Sequence, residues 1–244
     1  MILTLDVGNT NIHIGVYQNE RLIKAELMET KKYFDRNLLR RLFNQYNIEG
    51  VGIASVVPTL NQRLRECIEK VYDIKPIFIS SGLKLPVKIA YKQLGADRIA
   101  NVCAGFFRYH TDLIIFSFGT AVTGDVISKK GVHLGGIIMP GIKTQIWSLS
   151  KKTVLVKHTS LSAKINYLGK NTRECVQSGV FYGIVFSIQG FIKKVEKDIR
   201  TKYQIIATGG WGRKMAKAIP RINKYDQDLT LYGILKLYHY NAQK

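Results

Sequence analysis

The chain has 244 residues, of which 46% are hydrophobic, and this ordinary globular share excludes an intrinsically disordered protein. Its 37 lysines and arginines outnumber its 17 aspartates and glutamates, which gives a formal net charge of +20. The basic residues lie in scattered pairs and form no stripe interleaved with aromatic residues. The charge therefore favours a solvated surface that steers anionic ligands, and no specific nucleic-acid partner is expected.

We expect neither a targeting segment nor a membrane span. The first predicted strand follows Met1 directly, without a basic region before it. The most apolar segment, residues 179–192, is too short to cross a bilayer and is predicted to be a buried core helix. Cys67, Cys103 and Cys175 lack metal-ligand spacing and are predicted to be buried, reduced thiols. Together these features predict a cytoplasmic protein.

The first predicted element is a hairpin over residues 3–17. An apolar strand ends at Asp6, a turn containing Gly8 follows, and a second strand alternates apolar and polar residues. Such a turn lets backbone N–H groups approach a polyanion, while Asp6 can hold a hydrated Mg²⁺. An ordinary hairpin turn explains the same residues equally well. The candidate nucleotide-binding residues of this turn are Asp6, Val7, Gly8, Asn9, Thr10 and Asn11.

The elements that follow complete a ribonuclease H-like layer. Residues 21–26 are predicted to form a third antiparallel strand. Apolar spacing then predicts helices over residues 34–46 and 60–72 and strands over residues 50–57 and 76–79. Three strands followed by helix, strand, helix and strand are typical of that layer, although such a fold does not by itself establish a reaction.

The next predicted helix begins in the motif Gly95-Ala96-Asp97-Arg98. Apolar residues recur at helical spacing after it, so Asp97 lies in the first turn. There the helix dipole and Arg98 both favour an ionised carboxylate. From spacing alone, a capping acid is the simpler explanation of Asp97.

The pattern of the first hairpin returns over residues 114–127. A second apolar strand leads into a turn containing Gly119 and Thr120. Alignment of Gly119 with Gly8 superimposes Ser117 on Asp6. This echo predicts a duplicated unit, with an N-terminal domain over residues 1–110, a C-terminal domain over residues 111–244, and two turns that face each other across a nucleotide cleft.

Two features of the second half complete the set of candidates. The turn at Gly209 and Gly210 ends a predicted strand, and a backbone without side chains there lets an adenine or ribose lie flat; a tight turn into a helix explains the same glycines. Thr172 precedes the long apolar helix and is predicted to be its N-cap.

Five segments, in order along nearly the whole chain, resemble those of type III pantothenate kinases. They are Asp6-Val7-Gly8-Asn9-Thr10, Gly95-Ala96-Asp97-Arg98, Phe118-Gly119-Thr120-Ala121, Gly135-Gly136-Ile137-Ile138-Met139-Pro140-Gly141 and Thr208-Gly209-Gly210. The resemblance implies an α/β fold with two duplicated ribonuclease H-like domains of the actin/hexokinase type, each with a mixed sheet, and a nucleotide cleft between them. It also implies ATP-dependent phosphorylation of pantothenate to 4′-phosphopantothenate, the first step of coenzyme A biosynthesis.

The resemblance assigns the catalytic step to Asp97, which would accept the proton of the pantothenate hydroxyl as that hydroxyl attacks the γ-phosphate of ATP. Arg98 would bind pantothenate or its carboxylate, and the backbone of Gly95 and Ala96 would shape the pocket. Tyr91 would also contact pantothenate, although it lies only four residues before Gly95 and the usual proline is absent. A strand-end aromatic explains Tyr91 almost as well.

Further implied roles concern the nucleotide and the assembly. Residues 6–11, with Thr120, Gly209 and Gly210, would bind ATP together with Mg²⁺ or a similar divalent cation. Thr172 would reach the pocket of a neighbouring subunit, which makes the active species a homodimer.

Ser117 departs from the family pattern. Typical members have an aspartate there, assigned to a monovalent cation, whereas a serine hydroxyl offers only a neutral oxygen. Asp125 is retained nearby, but spacing does not place it in the same spot. The sequence therefore leaves open whether a K⁺ or NH₄⁺ site persists.

Two other functions remain as alternatives. One is a non-catalytic regulatory or accessory protein on the same fold, and the other is a nonspecific nucleic-acid binder, which is motivated only by charge. The presence of both Asp6 and Asp97 favours the enzyme.

Overall fold

The strands of the chain form two five-stranded mixed sheets, each flanked by helices. A computed structural model describes residues 1–30, 36–153, 156, 159–161 and 165–242. Two compact units divide the chain. The first contains Met1–His110, Ile127–Leu134 and Asp228–Lys244, and the second contains Thr111–Val126 and Gly135–Gln227.

The first sheet has the strand order β3-β2-β1-β4-β5. Strands β1, β2 and β3 form an antiparallel meander, while β1 pairs with β4, and β4 with β5, in parallel. The elements of this unit are β1 (Ile2–Val7), β2 (Asn11–Gln18), β3 (Arg21–Glu29), α1 (Arg36–Phe43), β4 (Gly50–Ser55), α2 (Pro58–Tyr72), β5 (Ile77–Phe78) and α3 (Ala96–Tyr109).

Strand alternation gives the first sheet two different faces. The predicted inward residues Ile12, Ile14 and Val16 are fully buried, in one core with residues of α1 and α2. The other face carries glycines: a Cβ added at Gly15 would lie 3.0 Å from a side-chain carbon of Leu231, in the C-terminal helix. The missing side chain at Gly15 lets the C-terminal helix pack closely against this face of the sheet.

The second sheet repeats the arrangement of the first. Its order is β10-β9-β6-β7-β8, and β6 pairs with β9, and β9 with β10, in parallel. Position by position, β6 to β10 correspond to β1 to β5. The elements that complete the chain are β6 (Leu113–Phe118), β7 (Ala121–Ile127), β8 (His133–Pro140), α4 (Ile142–Lys152), α5 (Thr172–Ile199), β9 (Gln204–Thr208), α6 (Gly212–Ala218), β10 (Lys224–Tyr225) and α7 (Leu229–Ala242).

Helix α5 is apolar on more than one side. Val180, Phe181, Ile184, Val185, Ile188 and Ile192 are buried in the second core, as the prediction of a core helix requires. The opposite side is exposed at Gly179, Gly183, Phe186 and Gly190. Among the described helices, α5 alone has the length and composition to cross a membrane, a test that the core helix of a soluble protein also passes.

Several boundaries differ from the sequence predictions. Strand β3 runs to Glu29, and Pro58 begins α2 because proline suits the first turn of a helix. The predicted first helix included Phe34, which lies outside the described residues, as does part of the predicted surface segment 153–169. Cys175 is exposed, since it lies in the first turns of α5 away from the second core. The final helix groups with the first unit, although the sequence division ends that domain at residue 110.

Candidate functional site

The first turn lies at the carboxyl end of the central strand β1. The N–H of Gly8 donates to the carbonyl oxygen of Asn11 at 2.9 Å. The Thr30 hydroxyl donates to the carbonyl oxygen of Gly8 at 2.6 Å, a tie that sequence analysis missed because Thr30 lies beyond the third strand. These two hydrogen bonds hold the backbone of the turn in place, while the side chains of Asn9 and Thr10 are exposed to solvent.

Two carboxylates meet in the first unit. Asp6 lies one residue before the end of β1, and Asp97 is the second residue of α3. Burial, and then the negative charge of Asp97, raise the pKa of Asp6 to about 7. Because two nearby carboxylates cannot both ionise without electrostatic cost, this pair favours a bound proton or a bound cation.

The start of α3 shapes the position of the Asp97 carboxylate. Gly95 precedes the helix with extended backbone angles, φ −60° and ψ 148°, and its carbonyl oxygen accepts the N–H of Ile99 at 2.9 Å. A Cβ at Gly95 would lie 2.8 Å from Oδ1 of Asp97. That same oxygen accepts the N–H of Arg98 at 2.8 Å. Glycine is therefore the residue that leaves room for this carboxylate at the helix start.

Arg98 and Tyr91 form a polar pair beside this motif. Arg98 is only 4% exposed, and its Nη1 donates to the Tyr91 hydroxyl at 2.7 Å. Tyr91 itself is 39% exposed. The structure thus brings together two predicted pantothenate contacts, one buried and one reaching the surface.

Sequence analysis missed two further titratable groups, one paired with Asp6 across the strands and one whose charge acts on that partner. His13 stands directly opposite Asp6 in the β1–β2 pair. Burial lowers the pKa of His13, and the charge of Asp228, at the start of α7, opposes that shift. The carbonyl oxygen of Asp228 accepts the N–H of Tyr232 at 2.9 Å, so the residue caps α7 with its backbone. Only the strand register and the tertiary packing bring these residues close together.

In the second unit, the turn at Gly119 and Thr120 is held by α4. The N–H of Gly119 donates to the carbonyl oxygen of Ala121 at 2.9 Å. The carbonyl oxygen of Thr120 accepts the N–H of Gly141 at 2.9 Å and the hydroxyl of Thr144 at 2.6 Å. Gly141 therefore allows the turn at Gly119 and Thr120 to lie close to the start of α4.

Gly209 joins the same turn from β9. It has a φ of +85°, and a Cβ there would lie 2.8 Å from the carbonyl oxygen of Phe118. That oxygen accepts the N–H of Trp211 at 3.1 Å. A cavity of about 680 Å³ opens beside this segment and is lined by both tryptophans of the chain, Trp147 and Trp211, and by Ile142 and Ile146 of α4.

Ser117 and Asp125 lie on the side of the second sheet that faces away from the second core. Their chain neighbours Phe116, Phe118 and Val126 belong to that core, so alternation turns Ser117 and Asp125 to the other side. Ser117 is half-buried and Asp125 is only 1% exposed. Within the described ranges, no cluster of three or more histidine, cysteine or acidic side chains is arranged to hold a metal ion.

Thr172 is not the N-cap that the sequence predicted. Asn171 caps α5, with its side-chain oxygen accepting the N–H of Glu174 at 3.0 Å. The Glu174 carboxylate in turn accepts the N–H of Lys170 and the side-chain amide of Asn171, each at 2.9 Å, and these two hydrogen bonds lower the pKa of Glu174. Asparagine is at least as good a cap as threonine, which explains the shift by one residue. Thr172 is therefore exposed in the first turn of α5, free of a capping role.

The chain is similar to known proteins over its whole length. A family model described as type III pantothenate kinase matches residues 2–194. A type III pantothenate kinase from Anaeromyxobacter dehalogenans is 36% identical over 99% of this chain and 100% of that protein. One from Geotalea uraniireducens is 34% identical over 100% of both.

Similar solved structures share the fold. A conserved putative Baf family transcriptional activator from Campylobacter jejuni has a TM-score of 0.66 and 23% identity, over 99% of this chain and 100% of that one. A ROK family protein from Streptococcus pneumoniae has a TM-score of 0.57 and 11% identity, over 100% and 99% of the two chains. Two duplicated domains of the actin/hexokinase type, each with a mixed sheet, fit these neighbours and the repeated strand order.

Proposed function

Since the chain belongs to the type III pantothenate kinase family, we propose how its own residues carry out ATP-dependent phosphorylation of pantothenate. The enzyme transfers the γ-phosphoryl group of ATP to pantothenate and forms 4′-phosphopantothenate, the first step of coenzyme A synthesis. The observation that carries the residue-level proposal is the proximity of Asp6 and Asp97, because the charge of Asp97 raises the pKa of Asp6.

Asp97 is the general base in this proposal. Its carboxylate accepts the proton of the pantothenate hydroxyl while that oxygen attacks the γ-phosphate. Phosphoryl transfer depends mainly on alignment and neutralisation of charge, so a modestly basic carboxylate is sufficient for late proton removal. Gly95 supports this role, since a Cβ there would crowd Oδ1 of Asp97 at 2.8 Å.

Asp6 is the group that meets the divalent cation of the nucleotide. When bound, Mg²⁺ neutralises charge on the transferred phosphoryl group and its neighbours. A hard cation beside Asp6 would also offset the repulsion from Asp97, so the chemistry of the acidic pair fits such a group. The exposed side chains of Asn9, Thr10 and Asn11 then contact phosphate oxygens, with Val7 and Gly8 supplying backbone contacts.

The nucleotide contacts of the second unit come from the turn at Thr120 and from Gly209 and Gly210. Gly209 adopts a positive φ that a side chain would strain, which keeps this backbone bare for the ribose or base. The neighbouring cavity has the volume and apolar lining of a small-molecule site, and we assign the adenine to it.

Pantothenate is recognised by Arg98, Tyr91 and the backbone of Gly95 and Ala96. The Arg98 guanidinium is oriented by the Tyr91 hydroxyl at 2.7 Å, which suits capture of a carboxylate in a fixed direction. Tyr91 thereby has a more specific role than a strand-end aromatic.

We assign the active form to a homodimer, formed through the exposed side of α5. Gly179 and Gly183 are one turn apart, and a Cβ added to either meets no heavy atom of the described chain within 4 Å. Phe186 is 51% exposed, and Leu168, next to the aromatic contacts of Tyr167, is 77% exposed. An apolar helix side of this kind favours burial against a second copy. Thr172, at the exposed start of α5, would then reach the partner's pantothenate pocket.

A monovalent cation would bind more weakly here than in a protein with an aspartate at position 117. The serine hydroxyl carries no charge, and affinity for hard cations falls as ligand charge is removed. Residual dependence on K⁺ or NH₄⁺ would then involve Asp125, on the same side of the sheet. A cytoplasmic location and the absence of nucleic-acid and membrane partners remain parts of this proposal.

A coupled assay of ADP formation tests the function. The purified protein should release ADP only when ATP, Mg²⁺ and pantothenate are all present. ADP that forms in the absence of pantothenate would contradict the proposal. So would a failure to form ADP when pantothenate is present. If no ADP forms in K⁺, the assay should be repeated in NH₄⁺, so that a requirement for one particular cation is not mistaken for absence of the reaction. A non-catalytic regulatory protein on this fold would give no turnover under any of these conditions.

A further inference from the structure

His133 lies behind Tyr91 in the first unit and is almost fully buried, with 1% of its surface exposed. It is the first residue of β8, and no sequence motif marked it. The imidazole and Tyr91 rings are 6.2 Å apart between centroids, at an angle of 47°. A buried histidine next to a proposed substrate contact therefore requires an explanation.

The segment before Tyr91 is tied to the segment before His133. The N–H of Lys88 donates to the carbonyl oxygen of Gly131 at 2.8 Å, and the N–H of His133 donates to the carbonyl oxygen of Lys88 at 2.9 Å. The N–H of Ala90 then donates to Nδ1 of His133 at 3.4 Å. Nδ1 of His133 is therefore the acceptor that joins the imidazole to the backbone just before Tyr91.

These contacts continue to the substrate-binding pair. Ala90 directly precedes Tyr91, and the Tyr91 hydroxyl accepts a hydrogen bond from Nη1 of Arg98 at 2.7 Å. The Arg98 guanidinium carbon also lies 6.0 Å from the Tyr91 ring centroid. A change in the backbone at Ala90 would move the phenol and release the guanidinium from its fixed direction.

We propose that His133 is a positioning residue for pantothenate: it fixes the backbone before Tyr91 and packs on the phenol, so that Tyr91 orients Arg98 towards the substrate carboxylate. This inference rests on the proposed role of Tyr91 and Arg98 in pantothenate binding. His133 touches neither substrate in this scheme and acts only through Tyr91.

The first test separates the imidazole acceptor from the ring. His133→Phe keeps an aromatic ring but cannot accept from Ala90, whereas His133→Asn retains an acceptor on a shorter side chain. Loss of one hydrogen bond predicts a rise of about fivefold to tenfold in the KM for pantothenate in His133→Phe. The kcat and the KM for ATP should stay within about twofold of wild type, and His133→Asn should recover most of the loss.

The second test asks whether His133 acts through Tyr91. Tyr91→Phe removes the acceptor for Arg98, so the double variant His133→Phe/Tyr91→Phe should have the KM of Tyr91→Phe alone. The alcohol analogue of pantothenate, which lacks the carboxylate, should be used equally well by wild type and His133→Phe. Should His133→Phe lose its near-ultraviolet circular dichroism, His133→Met supplies a flexible side chain of similar volume that also lacks a nitrogen acceptor.

A wild-type KM for pantothenate in a folded His133→Phe variant would overturn the inference. A parallel rise in the KM for ATP would also overturn it. So would a double variant in which the increases in the KM for pantothenate caused by His133→Phe and Tyr91→Phe multiply. Failure of the wild-type protein to phosphorylate pantothenate would instead contradict the proposed function, so the two failures are distinguishable.

Discussion

Asp6 and Asp97 come from different elements, one from a strand end and one from a helix start, and meet only in the folded chain. Sequence spacing predicted that Asp97 lies in the first turn of a helix, and α3 confirms that position. It did not predict that the charge of Asp97 would act on Asp6. Thr30, His13, Asp228 and His133 were missed for the same reason, since each depends on contacts between distant segments.

Asp6 should make the protein less stable as the pH rises. Its folded pKa of about 7 lies above the ordinary carboxyl value, so its contribution to stability is present at low pH and is lost as the pH rises through about 7. Asparagine does not ionise, so the Asp6→Asn variant should not lose this stability as the pH rises. The variant should therefore have a higher melting temperature than wild type, with a larger difference at about pH 8 than at about pH 4.

Calorimetry at both pH values checks this prediction. Asp198→Asn is the matched control, because Asp198 is an exposed carboxylate paired with Lys194. A melting difference for Asp6→Asn that is independent of pH, or that is larger in acid, would show that Asp6 is not held with a raised pKa.

Ser117 sets the expected response to monovalent cations. Ser117→Asp adds a full negative charge at the end of β6, so it should lower the K⁺ concentration needed for half-maximal activity. Ser117→Asn is the matched control, since it has the shape of aspartate without the charge. Choline chloride replaces KCl to hold ionic strength constant. Strong activation of the wild type by millimolar K⁺, with no gain in Ser117→Asp, would contradict the assignment.

At the scale of elements, the sequence predicted those strands and helices whose residue pattern alone determines which side is buried. The alternation in residues 12–16 predicted a strand that turns Ile12, Ile14 and Val16 inward, and all three are fully buried. The residue that caps a helix was harder to predict, because adjacent residues can each serve as the N-cap. Asn171 caps α5 in place of the predicted Thr172. The two-residue strand β10 was missed, since it is too short to show any period.

The pairing of α3 with α7 was beyond sequence reasoning because the two helices are far apart in the chain. The Thr230 hydroxyl donates to the buried Asn101 side chain at 2.8 Å. A Cβ at Gly233 would lie only 2.0 Å from the carbonyl oxygen of Ala100. Since α3 carries Asp97, this close helix contact also fixes the position of Asp97.

Gly233→Ala should therefore separate α7 from α3. Alanine favours helices over glycine by about 1 kcal/mol, so a simple propensity argument predicts stabilisation. The steric conflict with the Ala100 backbone predicts the opposite: a lower melting temperature and a lower kcat. Gly82→Ala is the control, because a Cβ there would lie 3.7 Å from its nearest atom, Oγ of Ser80. A melting temperature at or above that of wild type in Gly233→Ala would contradict this account.

At the scale of the whole molecule, the sequence echo between the two hairpins is matched by the two sheets. In both sheets three consecutive strands lie side by side in sequence order, a fourth strand pairs in parallel with the first of them, and a fifth pairs in parallel with the fourth. The fold class could therefore be predicted from two short turns and their surrounding strands. The division into residues 1–110 and 111–244 stays a prediction about the duplicated domains, and the C-terminal helix packs with the first unit.

The exposed side of α5 predicts the state of assembly. Phe186→Arg places a charge in the middle of the proposed interface, so it should convert a dimer into monomers and reduce activity by removing Thr172 from the partner's pocket. Tyr240→Arg is the control, because Tyr240 is an exposed aromatic, 45% accessible, on α7. Sedimentation velocity across assay concentrations measures the change. A fully active monomer, in the wild type or in Phe186→Arg, would exclude an active site shared between subunits.

The most direct test of the central claim is the amount of 4′-phosphopantothenate that wild type and Asp97→Asn form from ATP and pantothenate, measured by mass spectrometry. The wild type should form the product, and Asp97→Asn should be slower by a factor of about 10² to 10⁴, as expected for loss of a general base, with ATP binding largely unchanged. Asp198→Asn should match the wild type. Product formation at a near-wild-type rate by a folded Asp97→Asn variant would contradict the assignment of Asp97, and the absence of product from the wild type would contradict the function itself.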